Sequence, residues 1–153
     1  MKRDDLIIVR GGGDLATGTI HRLWAAGLRV LVLEIENPAA IRRQVALCEA
    51  VYTKTTEVEG LRAVRIDRYE EAEAVWQENS VPILIDPKGV SIGALKPAVV
   101  IDAILAKRNL GTHMTDAPFV IGVGPGFTAG EDCHCVVETK RGHYLGRCIW
   151  SGS

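Results

Sequence analysis

Apolar residues along the chain gather into short continuous runs, separated by segments in which apolar positions recur at helical spacing. Leu6-Ile7-Ile8-Val9 and Arg29-Val30-Leu31-Val32-Leu33-Glu34 are two such runs; Pro82-Ile83-Leu84-Ile85-Asp86 and Ala98-Val99-Val100-Ile101-Asp102 are two more. Consecutive apolar positions are what a parallel strand covered on both faces requires. Between the first two runs, Asp14 to Ala26 carries Ala16, Ile20, Leu23 and Trp24 on one helical face and closes on Gly27. Strand, helix and strand of this length predict a right-handed parallel crossover. Asn37-Pro38 predicts the next helix start, with Asn as the cap and Pro at the first helical position, running on through Ile41, Val45, Leu47 and Cys48. Thr53 to Arg65 predicts turns and a strand that ends in Ala63-Val64-Arg65-Ile66, and Asp67 to Asn79 a polar helix carrying Tyr69, Ala72, Val75 and Trp76. The alternation predicts an α/β fold built on an open parallel sheet.

The texture changes near Pro118. Phe119 to Gly130 is rich in glycine, and Cys133 to Trp150 reads as a hairpin turning near Lys140-Arg141-Gly142. The expected division is therefore an α/β domain over 1–117 and a separate element over 118–153, a glycine-rich loop with a small C-terminal β-hairpin.

Composition narrows the partners. A length of 153 residues holds one ordinary domain, and a formal net charge of −1 gives no bulk field to draw nucleic acid or an anionic membrane. Behind Met1-Lys2-Arg3 the apolar run from Leu6 to Val9 is too short for a signal peptide or a membrane span. Cys48, Cys133, Cys135 and Cys148 are too few and too unevenly placed for a disulfide framework, which makes the cytoplasm the expected location.

The strongest chemical signal is Gly11-Gly12-Gly13-Asp14-Leu15-Ala16, a G-x-G-x-x-A pattern directly after one strand and opening a helix. In the Rossmann arrangement Gly11 would permit the tight turn and Gly13 the approach of a pyrophosphate. Ala16 and Gly18 would let the helix pack close to the sheet, and the helix N-terminus would supply N–H groups to the phosphates. Glu34 ends the second strand twenty-one residues after Gly13, where an acid accepts hydrogen bonds from ribose hydroxyls. Gly11, Gly12, Gly13, Asp14, Ala16 and Glu34 are thus the expected nucleotide-binding residues. Asp14 disagrees, because its charge would repel a pyrophosphate; as a plain helix cap it would need no ligand. Arg10 could offset that charge or point into solvent. Glu34 favours NAD over NADP, and Arg42 or Arg43 could receive a 2′-phosphate.

Other candidates are weaker. On a strand, Cys133 and Cys135 would share one face, and with a two- or four-residue hairpin loop Cys135 would lie opposite Cys148, which offers either three thiols for a soft metal or a redox pair. Small thiols filling a hairpin face is the plainer reading, and no metal site is expected. His134 and His143 could exchange protons, yet satisfied histidines are commoner. His21 is expected to face solvent, and His113 has no obvious partner. The loop Gly122 to Gly130 could form a second anion nest, or simply turn the chain with Gly122, Gly124 and Gly126 at φ values other residues avoid. Asp86 and Asp102, at strand ends, could serve chemistry or cap turns, and Trp24, Trp76 and Trp150 read as packing.

Several segments together resemble a known family: Val9-Arg10-Gly11-Gly12-Gly13-Asp14-Leu15-Ala16-Thr17-Gly18 with His21-Arg22-Leu23, Leu33-Glu34 with Pro38, Ala40-Ile41-Arg42-Arg43, and Glu49-Ala50-Val51-Tyr52. So do Ile85-Asp86-Pro87, Val100-Ile101-Asp102-Ala103, Gly124-Pro125-Gly126-Phe127, Glu138-Thr139, Arg141-Gly142-His143 and Leu145-Gly146-Arg147. The chain resembles the accessory protein of the selenium-dependent molybdenum hydroxylase system, related in kind to the Rossmann-bearing maturation factors of xanthine dehydrogenase. The resemblance implies maturation or support of such a hydroxylase, which would be its partner; the candidate ligand is NAD(P), on the glycine loop and Glu34, or a molybdopterin dinucleotide. Chains of that family continue well past the stretch seen here as Gly146 to Trp150, so a further domain is expected beyond Ser153. A homo-oligomer is compatible with this reading. Two alternatives stand beside it: a small NAD-dependent oxidoreductase, for which no proton-transfer pair is visible, and a non-catalytic Rossmann scaffold.

Overall fold

The computed structural model describes residues 4–40 and 42–153. Met1, Lys2 and Arg3, which belong to the N-terminal reading, and Ile41, placed above on a helix, lie outside them. The four apolar runs become the middle of one sheet. β1 (Leu6–Arg10) leads through the glycine loop into α1 (Asp14–Ala25), and β2 (Arg29–Glu34) returns parallel to β1 with Ile8 opposite Leu31. α2 (Ala50–Thr53) precedes a hairpin of β3 (Thr55–Val58) and β4 (Leu61–Ile66). α3 (Ala72–Gln77), β5 (Val81–Ile85), α4 (Val90–Leu95) and β6 (Val99–Asp102) follow, then β7 (Phe119–Val123), β8 (Cys135–Val137) and β9 (Cys148–Ile149).

Among the described residues the sheet has nine strands in the order β3-β4-β5-β2-β1-β6-β7-β8-β9, parallel from β4 to β8 with an antiparallel strand on each edge. This is the expected open α/β sheet with its C-terminal hairpin. Residues 118–153, read from the sequence as an element of their own, contribute β7, β8 and β9 to that same sheet. β7 itself was hidden, since Gly122 and Gly124 made its sequence read as loop.

Alternation along each strand splits the core in two. Ile7, Val9, Val30 and Val32 face Ala16 and Ile20 of α1 together with Leu47, Ala50 and Val51. Ile8, Leu31, Leu33 and Val100 face Ala72 and Val75 of α3 and Ile92 of α4 on the other side. α1 ends as its sequence predicts, with Gly27 at φ 83° just beyond the cap residue Ala26.

The predicted helix from Asn37-Pro38 does not form. Residues 35–40 are irregular, and two short 3-10 turns, Arg43–Val45 and Leu47–Glu49, precede the single turn of α2. The reason is visible in the burial: Ala46, Leu47 and Cys48 are consecutive and all buried, which a regular helix on a sheet surface cannot achieve. α4 was not foreseen, because six residues with an internal glycine give too little periodicity to read.

On β7 the loop that follows the strand contributes Phe127, which is buried against Gly122. Gly122 has an ordinary φ, contrary to expectation. Its need for glycine is steric, as an added Cβ would lie 2.5 Å from the Phe127 ring. Gly124 and Gly126 do take positive φ, 91° and 95°. Gly122→Ala should therefore destabilise the fold by about 1–3 kcal/mol through overpacking. Chemical denaturation checks this, and adding Phe127→Leu to the alanine variant should return part of the loss.

Candidate functional site

β1 delivers the glycine loop to the C-terminal edge of the sheet, where the chain leaves in opposite directions: β2 lies on one side of β1 and β6 on the other. Such a switch point is where open α/β sheets place ligands. Gly11 takes φ 99°, and an added Cβ would stand 2.8 Å from the carbonyl oxygen of Ala103. Both facts demand glycine there. Gly12 donates its N–H to Glu34 Oε2 at 2.8 Å, and its carbonyl accepts the Cys48 N–H at 2.8 Å. Gly13 is the cap residue of α1, in an extended conformation with nothing within 4 Å of where its Cβ would be. Asp14 is the first helical residue rather than the cap.

Glu34 turns its carboxylate back onto the loop. Oε1 accepts the Ile35 N–H at 2.9 Å while Oε2 holds Gly12. Burial pushes its pKa up from the ordinary carboxylate value, and the two backbone N–H groups only partly counter this. Thr17 ties the first turn of α1 to the next segment: its hydroxyl donates to the Gly13 carbonyl at 2.7 Å and accepts the Leu47 N–H at 2.9 Å. Neither Thr17 nor Cys48 was singled out as part of the loop; their involvement depends on the irregular path of residues 42–49, which periodicity does not show.

Two adjoining cavities open here. One of about 270 Å³ is lined by Gly11, Gly13, Asp14, Glu34, Pro38 and Ala103, among others. A smaller one of about 140 Å³ lies beyond Glu34, with Arg10, Leu33, Ile35, Pro87, Ile104 and Leu110 around it. The sequence-predicted residues Gly11, Gly13, Asp14, Ala16 and Glu34 all line the larger cavity, whereas Gly12 sits behind it. A larger hollow of about 800 Å³ lies at the opposite end of the strands, around Leu6 and Ile92, away from all of these residues.

Arg10 is 3% exposed, so it does not point into solvent. Its guanidinium donates to Thr112 Oγ1 at 3.1 Å and to the Pro87 carbonyl at 3.0 Å. Thr112 in turn donates to Asp102 Oδ2 at 2.6 Å, and Asp102 Oδ1 accepts the Ile104 N–H. Asp102 thus fastens a turn, as the plainer reading expected, and also faces the buried cation through a hydroxyl. Asp86 caps α4 by accepting the N–H groups of Val90 and Ser91. Asp14 has Arg42 Nε at 3.7 Å, while Arg43 is paired with Glu49 at 2.8 Å and lies over Tyr52.

The cysteines do not assemble as drawn from the sequence. Cys133 precedes β8 and packs in the core on the α3 side, while β8 carries Cys135 on the face of Val137, whose packing is on the α1 side. Val137, not Cys135, lies opposite Cys148, which leaves Cys135 and Cys148 as diagonal neighbours. Burial first, and then the adjacent Cys148, push Cys135 up to about 11; burial also pushes Cys48 up to about 11. His134 Nδ1 accepts the Val120 N–H at 2.9 Å and its ring stacks on Phe119, so it braces the sheet. His21 is half-buried, 3.1 Å from the Glu59 carbonyl, and Trp150 is 62% exposed rather than packed.

No family model matches the chain, and no solved structure does. It is similar to YqeB of Escherichia coli (strain K12), a protein described as uncharacterized, with 47% identity over 147 residues. That match takes in 96% of this chain but 27% of the relative, so the chain spans little more than a quarter of that protein's length.

The two outer glycines of the loop should behave differently. Gly11→Ala meets both a positive φ and a backbone oxygen, and should cost roughly 2 kcal/mol or more. Gly13→Ala loses only cap preference, about 1 kcal/mol or less. Thermal denaturation of the two variants measures the difference.

Proposed function

We propose that the chain is a nucleotide-binding module whose ligand sits over Gly11 to Gly13, and that it serves as an accessory to a molybdenum hydroxylase. One observation carries the binding reading. The open face of Gly13, the first turn of α1 and the Glu34 carboxylate all border the same cavity of about 270 Å³. The N–H groups that open a helix have no partners inside it and carry its positive dipole end, which suits a phosphate. Glu34 keeps lone pairs beyond the two N–H bonds it accepts, and these suit ribose hydroxyls. The apolar slot of about 140 Å³ on the far side of Glu34 suits the base.

The acid at the helix start is compatible with this. Asp14 stands beside Arg42, and the exposed guanidinium offsets part of its charge toward a phosphate. The accessory role rests on the resemblance set out above, and the cytoplasm is the setting proposed for it on the cysteine pattern. No helix among the described residues is long and apolar enough to cross a membrane.

Calorimetric titration with NAD(H), NADP(H), ATP and molybdopterin cytosine dinucleotide tests the binding reading. At least one should bind, and Gly13→Val, which has room in the fold, should weaken it by tenfold or more, about 1.4 kcal/mol. Unchanged affinity in that variant would remove the ligand from the loop. Affinity should also depend on pH in one direction. The ionised carboxylate is the better acceptor, so binding should be constant near neutrality and weaken as pH falls through the raised Glu34 value, beginning above the ordinary 4.5. The accessory role predicts that a deletion strain loses hydroxylase activity while still making the hydroxylase polypeptide; full activity would rule it out.

A further inference from the structure

We infer that the site takes one nucleoside with its phosphates, and that the second nucleoside of a dinucleotide finds no place on this chain. This rests on the nucleotide reading of the glycine loop and goes beyond it by naming the ligand class. A dinucleotide at a switch point lies across the strand ends in both directions, one half toward β2 and the other toward the strand on the opposite side of β1. Toward β2 and β5 the edge is open, with the two cavities described. Toward β6 and β7 it is covered by the segment 103–112.

Three glycines record how closely that segment is seated. A Cβ on Gly11 would lie 2.8 Å from Ala103 O, one on Gly124 would lie 2.9 Å from Leu105 Cδ2, and one on Gly126 would lie 2.7 Å from Arg108 Cα. Both glycine-rich loops are therefore shaped around the same strap.

The strap is anchored at both ends. Asp102 holds Ile104 N–H and the Thr112 hydroxyl, and Thr112 is held in turn by buried Arg10. Asn109 closes the last turn, its side chain bonding the N–H groups of Gly111 and Thr112 and the carbonyl of Thr112. Leu105 sits at φ 63°, a conformation unfavourable for a bulky side chain. The anchors at residues 102 and 112 keep it there. Swinging the strap aside would expose the buried Arg10, Thr112 and Asp102 network, so the covered half is a fixed feature of the fold.

The test titrates the chain with each nucleoside diphosphate and with a dinucleotide that contains the same nucleoside, ADP beside NAD⁺ being the first pair. The dinucleotide should bind no more than about tenfold tighter than its diphosphate half, because its second nucleoside meets only solvent. A dinucleotide that binds more than tenfold tighter overturns the inference and leaves the nucleotide reading standing. Binding by no member of either set overturns both.

Discussion

The upper edge of this sheet depends on one backbone contact, Gly11 against Ala103 and Ile104. β1 and β6 are hydrogen-bonded neighbours whose chains must diverge at their ends, one into α1 and the other into the strap. They diverge at van der Waals distance, and the absence of a Cβ on Gly11 makes that distance reachable. Once this is fixed, Gly12 falls beneath Glu34, Gly13 faces the cavity, and Asp102 is placed to hold the strap. The buried cation follows from the same arrangement. Arg10 is the last residue of β1, and its side chain is held on the α4 side beside Gly89 by groups from two loops, Pro87 and Thr112. A charge so deeply buried is tolerable only with hydrogen bonds and a counter-charge near by, which Thr112 and Asp102 supply in series.

Much of this was legible in the residues, for a physical reason. Strands covered on both faces need consecutive apolar positions, so β1, β2, β5 and β6 are written openly at 6–9, 30–33, 83–85 and 99–101. The glycine loop and Glu34 could be read because their spacing follows from strand and helix geometry alone. What stayed hidden depends on distant packing. The loss of a helix after Asn37 comes from Ala46, Leu47 and Cys48 filling the core in series. Asn-Pro signals only what the local backbone prefers, and tertiary burial overrode it. β7 was obscured because Gly122 serves Phe127, five residues away. The place of Arg10 next to three glycines stays open in the sequence, because its partners lie 77 and 102 residues further along.

The electrostatics of the cleft limit what can occupy it. Glu34 and Asp14 both line the larger cavity, and Arg10 reaches only the smaller one. A free phosphate would gain the helix end yet meet two carboxylates. A ligand that also brings hydroxyl donors to Glu34 and a flat apolar group to the slot beyond it has compensation at each point. On the nucleotide proposal, that combination would favour a nucleoside attached to its phosphates over inorganic phosphate, with Glu34 discriminating between the two.

Glu34 has a second duty that bears on how ligand and fold communicate. Its carboxylate bonds Gly12 and Ile35, its carbonyl accepts the N–H of Asp86, and Asp86 caps α4. One residue at the end of β2 therefore links the glycine loop, the segment after β2 and the loop after β5. Burial raises the cost of its charge, and any hydroxyl donor that reaches it lowers that cost. On the nucleotide proposal, a hydroxyl donor reaching Glu34 would favour the ionised carboxylate that Gly12 and Ile35 already hold. The strap on the other side, fixed by Asp102 and Thr112, has no such dependence.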